Sequence, residues 1–281
     1  GETPSKHWDD AAKKWLVETS HKADHKKDAG KIKWLNQHLS GILLCDINRE
    51  LISKIVQIKA ECASTTTANR YSALIRAILR KAAFEWDWLE TAPKVRMYKE
   101  SARRIRWLTR EQADTLIKEL PTHQANADRF ALATGFRHSN VLGLTWSQVD
   151  LNRQLAWIHP DQAKSRKAIA VPLNMTAMNV LDSLHGKHAE YVFTYKGNRI
   201  QRANTRAWQK ALLRAGITNF RWHDLRHTWA SWHVQAGTPL HVLQERGGWK
   251  SVEMVRRYAH LSPKHLAEYA DRIVKDTILT Q

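Results

Sequence analysis

The sequence predicts a mainly α protein in two parts. A helical domain (residues 1–92) and an α-rich domain with a small antiparallel β-sheet (107–281) are joined by a basic linker (93–106). Three observations predict it. Apolar residues recur with helical spacing along most of the chain. Period-two alternation occurs only in "QLAWIH" and "KAIAVPL", which flank the turn "DQAKSRK". Between the halves, "TAPKVRMYKESARRIR" keeps no period and is strongly basic. The chain is 43% hydrophobic, enough to build real cores, and 281 residues suit one large or two ordinary domains.

In chain order, "WDDAAKKWL" puts Trp8, Ala11, Ala12, Trp15 and Leu16 on one helical face. Helices are expected over 24–39 and 48–61. A fourth, capped by Thr66 or Thr67, carries Tyr71, Leu74, Ile75, Ile78, Leu79 and Ala82 at core spacing. Its other side presents Arg76, Arg80 and Lys81, either as a solvated face or as DNA contacts. Pro93 stops the helical region. In "LTREQADTLIKEL", Thr109 and Gln112 form a capping box. A helix over 123–134 ends at Gly135, and Val141, Leu142 and Leu144 enter a buried turn. After the hairpin, helices are expected over 174–184, 203–215, 223–236, 239–246, 251–259 and 263–278.

The charge is informative. Lys plus Arg total 45 against 27 Asp plus Glu, a net +18. Residues 1–100 contribute +5 and residues 101–281 contribute +13, so the excess belongs to a folded segment rather than a tail. There, 18 Arg outnumber 9 Lys, and the planar guanidinium suits phosphate oxygens. A polyanion is implied: nucleic acid first, an anionic membrane surface as the rival. No run of 18 apolar residues could span a membrane. Cys45 and Cys62 suggest buried thiols in a reducing, cytoplasmic setting. No secretory signal is visible. The chain starts at Gly1 without a methionine, so residues upstream are expected in the natural protein.

The densest chemistry lies in "RWHDLRHTWASWHVQAG" (221–237). On a helix, Leu225, Trp229, Trp232 and Ala236 share the core side, while His223, Arg226 and His227 point away together. Gly237 is the natural stop, with Thr238 and Pro239 as N-cap and N1 of the next helix. His223 and His227 have a zinc spacing, but the intervening arginine repels a cation and no third ligand is evident.

"HDLRHTWAS" resembles the His-x-x-Arg box of the tyrosine recombinases, the phage integrase family. "ATGFRHSNVLGLTW" resembles that family's first arginine box, "LQERGGWKS" its His/Trp box and "RRYAHLSP" its nucleophile box. Order and spacing agree: Arg137, then His223 with Arg226, Trp249 23 residues on, and Tyr258 nine later. Lys164 falls where the family places its hairpin lysine. The resemblance is close over 107–270 and looser over 1–90. It implies a helical core-binding (SAM-like) domain followed by a catalytic domain of the DNA breaking-rejoining fold. Two departures stand out. Asn140 occupies a position where the family often has an acid, and Trp249 is the tryptophan variant of the late His/Trp site.

What the resemblance implies is metal- and ATP-independent DNA strand transfer with no cofactor. Tyr258 is the nucleophile of a 3′-phosphotyrosyl bond, Arg137 and Arg226 neutralise the phosphate, His223 is the base, Lys164 the general acid, and Trp249 braces the pocket. Arg76, Arg80, Arg103, Arg104 and Arg106 are expected on the backbone of double-stranded DNA. A monomer without DNA would assemble as a homotetramer on paired sites, with 263–281 docking in cis or in trans; no membrane partner is expected. Alternatives stay open residue by residue: a core tyrosine at Tyr258, a solvated lysine at Lys164 with Lys167 competing, a structural salt bridge at Arg137. A type IB topoisomerase or an inactive DNA-binding protein of the same fold are the rival functions.

Overall fold

The computed structural model describes residues 5–100, 105–160, 162 and 168–261. The chain divides into two compact units, Gly1–Arg103 and Arg104–Gln281.

The first unit is built from four helices, α1 (Trp8–Glu18), α2 (His25–Leu39), α3 (Arg49–Cys62) and α4 (Thr65–Phe84). Their apolar faces meet in one core that includes Trp8, Trp15, Leu35, Ile55, Ile75 and Leu79. The cap of α4 is Ser64, whose hydroxyl accepts from the Thr67 amide, rather than either of the expected threonines. Arg76 and Arg80 are exposed on α4, whereas Lys81 is partly buried and pairs with Glu18 and Glu85 at 2.6 Å. Part of the stretch read as linker is anchored to this unit. Tyr98 donates its amide to Asn69 Oδ1 (2.7 Å), and Asn69 Nδ2 returns a bond to the Tyr98 carbonyl (2.9 Å). Both exposed cysteines are unpaired, contrary to the expected burial.

The second unit starts with α5 (Arg110–Glu119), capped by the expected Thr109–Gln112 box, and α6 (Thr122–Thr134), which Gly135 ends in the left-handed region at φ +68°. A short α7 (His138–Leu142) leads to a three-stranded antiparallel sheet, β1 (Val149–Asp150), β2 (Leu155–Ile158) and β3 (Ile169–Pro172), in that order. Ala156 pairs with Val171 and Ile158 with Ile169, so Ala156, Ile158 and Val171 enter the core. Lys164 lies on the β2–β3 connection, outside the described residues. Helix α8 (Met175–Leu184) follows, then a hairpin the alternation rule passed over, β4 (Thr194–Tyr195) and β5 (Asn198–Arg199). Two-residue strands are too short to show a period. Their turn, Lys196–Gly197, has φ of +51° and +74°, as a type I′ hairpin needs.

The remaining helices are α9 (Arg206–Arg214), α10 (Asp224–Gln235), α11 (Leu240–Gly247) and α12 (Glu253–Arg256). Thr205 caps α9, so it begins later than the 203 expected. The 251–259 helix resolves into α12 and a 3₁₀ turn, Ala259–Leu261. Pro239 is the cap of α11, one place later than expected. The expected helix over 263–278 lies outside the described residues. Beside the main core of this unit sits a smaller one of Trp229, Ala230, Val234, Leu243, Val255 and Tyr258, with Trp249 packed against it. No helix among the described residues is long and apolar enough to cross a membrane.

Candidate active site

Arg226 organises the site. It lies in the first turn of α10, on the face expected to point away from the core, yet it is only 5% exposed. The tertiary fold roofs that face over. Nη1 donates to the Gly135 carbonyl and Nη2 to the Gly247 carbonyl. The guanidinium carbon lies 4.2 Å from the centroid of the Trp249 ring, a cation–π contact. Conversely Ala236, assigned to the core side, is exposed at the helix C-terminus.

Both carbonyls come from glycines because nothing else fits. A Cβ on Gly135 would stand 2.3 Å from the Trp229 ring, and one on Gly247 1.9 Å from the Trp249 ring. Trp229 and Trp249 in turn stack, 6.1 Å between centroids and 24° between planes. Two glycines and two indoles therefore fix one guanidinium.

Arg137 follows Gly135 at the N-cap of α7 and donates to the Gly248 carbonyl at 3.2 Å. Its Nη1 is buried with no hydrogen-bond partner among the described residues. Burial lowers its pKa. Burial first, and the nearby Arg137 second, lower Arg226 to about 9, which leaves it cationic at neutral pH. Neither arginine forms an ion pair with an acid among the described residues, so the salt-bridge alternative for Arg137 finds no support. Two adjacent guanidiniums, one buried and one half-buried, with N–H groups to spare can receive an oxyanion.

Tyr258 follows α12 and is fully buried in the smaller core, 6.1 Å from Trp249 between ring centroids. Its hydroxyl bonds Nδ1 of His227 at 2.5 Å. Burial pushes the phenol up to about 12, against the pull of Arg257 and Arg226. Burial, then His223, Arg257 and Arg226, push His227 down to about 4. The imidazole on the hydroxyl is thus His227; His223, to which the family resemblance gives the role of base, stands edge-on to it, 5.2 Å between centroids, exposed at the N-cap of α10. Helical spacing put both histidines on one face but could not say which one the α12 segment would reach. The signal lies in "HDLRH", which places His227 one turn after His223 on the same face. Among the described residues no group of three or more His, Cys, Asp or Glu could hold a metal ion.

A second buried support went unread in the sequence. Asp128 on α6 accepts the Trp222 indole N–H at 2.7 Å, and Trp222 packs edge-on to His138, 4.8 Å between centroids. Burial pushes the Asp128 carboxyl up to about 8, the indole bond opposing. Asn140 is buried, its Oδ1 accepting from Ser139 and its Nδ2 without a hydrogen-bond partner among the described residues. Arg106 is half-buried and donates to the Thr218 carbonyl at 3.2 Å, while Arg103 and Arg104, like Lys164, lie outside the described residues.

The model of the phage integrase family matches residues 106–265, which takes in Arg137, His223, Arg226, Trp249 and Tyr258. The chain belongs to that family. It is a site-specific tyrosine recombinase of phage type. The integrase of Salmonella phage P22 is 41% identical over 97% of this chain and 81% of its own length. The integrase of Haemophilus phage HP1 is 30% identical over 71% of this chain, and the shufflon-specific DNA recombinase of Escherichia coli 28% over 84%. The recombinase described here spans 57% and 62% of those two relatives. Its fold matches a lambda integrase dimer bound to a COC′ core site, with a TM-score of 0.76 at 19% identity over 92% of this chain and 78% of that one. It also matches the Tn1549 transposon integrase in complex with a circular intermediate DNA, with a TM-score of 0.77 at 15% identity over 94% and 99%. At such identities the likeness establishes the fold.

Proposed function

We propose that this recombinase cleaves and rejoins duplex DNA through a 3′-phosphotyrosyl bond on Tyr258. The observation that carries the reading is the pair of guanidiniums, Arg137 and Arg226, neither in an ion pair with an acid among the described residues, the second braced by Trp249 beside the small core that also holds the Tyr258 phenol. A phosphodiester seated on them has its non-bridging oxygens neutralised as the fifth oxygen adds, and a preorganised donor of this kind is worth roughly 10²–10³ in rate. His223, exposed at the helix N-terminus, donates to a phosphate oxygen. Lys164 protonates the leaving 5′ oxygen. The covalent intermediate conserves the bond energy, so strand exchange needs neither ATP nor a metal. Because Tyr258 is fully buried, its hydroxyl must become accessible when the phosphodiester enters.

Exposed Arg76 and Arg80 on α4, with Arg103, Arg104 and Arg106, are assigned to the DNA backbone. Lambda integrase, which shares this fold, has been solved as a tetramer bound to a Holliday junction. By that analogy this recombinase assembles from monomers into a homotetramer on paired sites. It acts on the nucleoid, in the cytoplasm, for a prophage or other mobile element.

A nicked duplex that traps the covalent intermediate tests the reading. The expected result is a 3′-linked protein–DNA adduct on a denaturing gel, abolished by Tyr258→Phe. An adduct that persists in that variant overturns the assignment. Relaxation of supercoiled DNA lacking any specific site would point instead to topoisomerase-like activity.

A further inference from the structure

We propose that His227 is a catalytic residue, the group that takes the phenolic proton from Tyr258 during cleavage and returns it during rejoining. The proposal rests on the assignment of Tyr258 as nucleophile. Its basis is geometric. Nδ1 lies 2.5 Å from the hydroxyl, with the two rings 5.9 Å apart and 43° between planes. In the DNA-free protein both partners are held by their surroundings. His227 is adjacent in sequence to Arg226, which two backbone carbonyls and Trp249 pin in place. Tyr258 is wedged in the core with Trp229, Leu243 and Val255. A buried phenol needs a partner, and any carbonyl would serve. An imidazole is the partner that can also keep the proton.

The charged and titratable neighbours explain when it does so. On α10 these are His223, Asp224 and Arg226; from the segment after α12 they are Arg257 and Tyr258 itself. In the DNA-free protein burial and the arginines hold His227 at about 4 and burial holds Tyr258 at about 12, so the proton stays on the phenol. The nucleophile rests in a neutral hydrogen bond. A phosphodiester on Arg137 and Arg226 places an anion beside the imidazole, offsets the guanidinium charge and raises its basicity. The substrate itself then switches on the base.

The step balances. The proton passes from the Tyr258 oxygen to Nδ1, the phenolate oxygen bonds phosphorus, the bond from phosphorus to the 5′ oxygen breaks, and the Lys164 ammonium supplies the proton that completes the 5′ hydroxyl. Rejoining reverses each transfer. The scheme requires the resting His227 to carry its proton on Nε2, with Nδ1 as acceptor.

Two measurements test it. In the DNA-free protein, ¹⁵N spectra of the imidazoles should show His227 Nδ1 as an unprotonated acceptor, with a shift that moves in Tyr258→Phe; a proton resident on Nδ1 overturns the proposal. Single-turnover adduct formation is then followed on a pool of nicked duplexes of randomised sequence around the nick, across neutral to alkaline pH. His227→Asn should cleave about 10²-fold or more slowly at neutral pH, the usual effect of losing a general base. DNA retention in gel shifts should stay within a few-fold. The deficit should narrow as pH rises, and added imidazole should restore part of the rate to His227→Ala. An undiminished rate overturns the role of His227, as does a deficit that neither alkali nor imidazole relieves. An adduct surviving Tyr258→Phe instead refutes the nucleophile assignment beneath it, so the two failures are distinguishable.

Discussion

Replacing Gly135 by alanine tests whether the glycine–indole contact holds the guanidinium. Two costs add. The residue sits at φ +68°, where an L side chain pays roughly 1–2 kcal/mol. The new Cβ would also stand 2.3 Å from the buried Trp229 ring. That ring is 2% exposed, stacks on Trp249 and meets His233 edge-on at 4.7 Å, so it has nowhere to retreat. Overpacking of this kind costs about 1–3 kcal/mol, for a sum of about 2–5 kcal/mol. Gly237→Ala is the control: its φ is +84° but nothing lies within 4 Å of a Cβ, so only the backbone cost of roughly 1–2 kcal/mol applies. Denaturant unfolding of both variants by circular dichroism reads the difference. Gly135→Ala should be the less stable by about 1–3 kcal/mol. It should also cleave more slowly, because the Gly135 carbonyl it displaces is one of the two that Arg226 uses. Equal destabilisation of the two variants would refute the steric argument. A destabilised Gly135→Ala with normal cleavage per folded molecule would refute the link to Arg226.

Asp128→Asn should reveal a pH-dependent strain. The folded pKa of Asp128 is raised to about 8 from an ordinary 3.8, so the folded state holds a proton the unfolded chain releases. Its neutral form favours folding fully at low pH, and this contribution is lost as pH rises from about 4 through about 8, by at most ~1.4 kcal/mol per unit. The amide keeps the acceptor for Trp222, so stability curves of variant and wild type should nearly meet near pH 4 and diverge toward pH 8 in favour of the variant; parallel curves would count against the assignment. Trp249→Phe should retain cleavage within a few-fold and Trp249→Ala should lose more, because the aromatic face under Arg226 is what matters; initial adduct rates decide, and equal losses would argue for an indole N–H role instead. Arg76→Ala should weaken DNA binding and lower the slope of log affinity against log salt by about 0.9, the value for one phosphate contact, in titrations on any duplex; an unchanged slope would mean that α4 faces solvent.

The two-part helical plan, the sheet and the order of the boxes were legible in the residues alone, because these rest on local periodicity, caps and a linear motif. Thr109 with Gln112, Gly135 at a helix end and the pairing of "QLAWIH" with "KAIAVPL" were all legible for that reason. The polar face of α10 acquires its partners only when distant segments pack over it. A helical wheel shows which residues share a side, not what covers that side. The loop after α6 and the end of α11 bring two glycine carbonyls over Arg226, and the segment after α12 brings a phenol onto His227 rather than His223. Those partners lie between 21 and 91 residues away in the chain, and a local pattern carries no record of which distant backbone will close over a site.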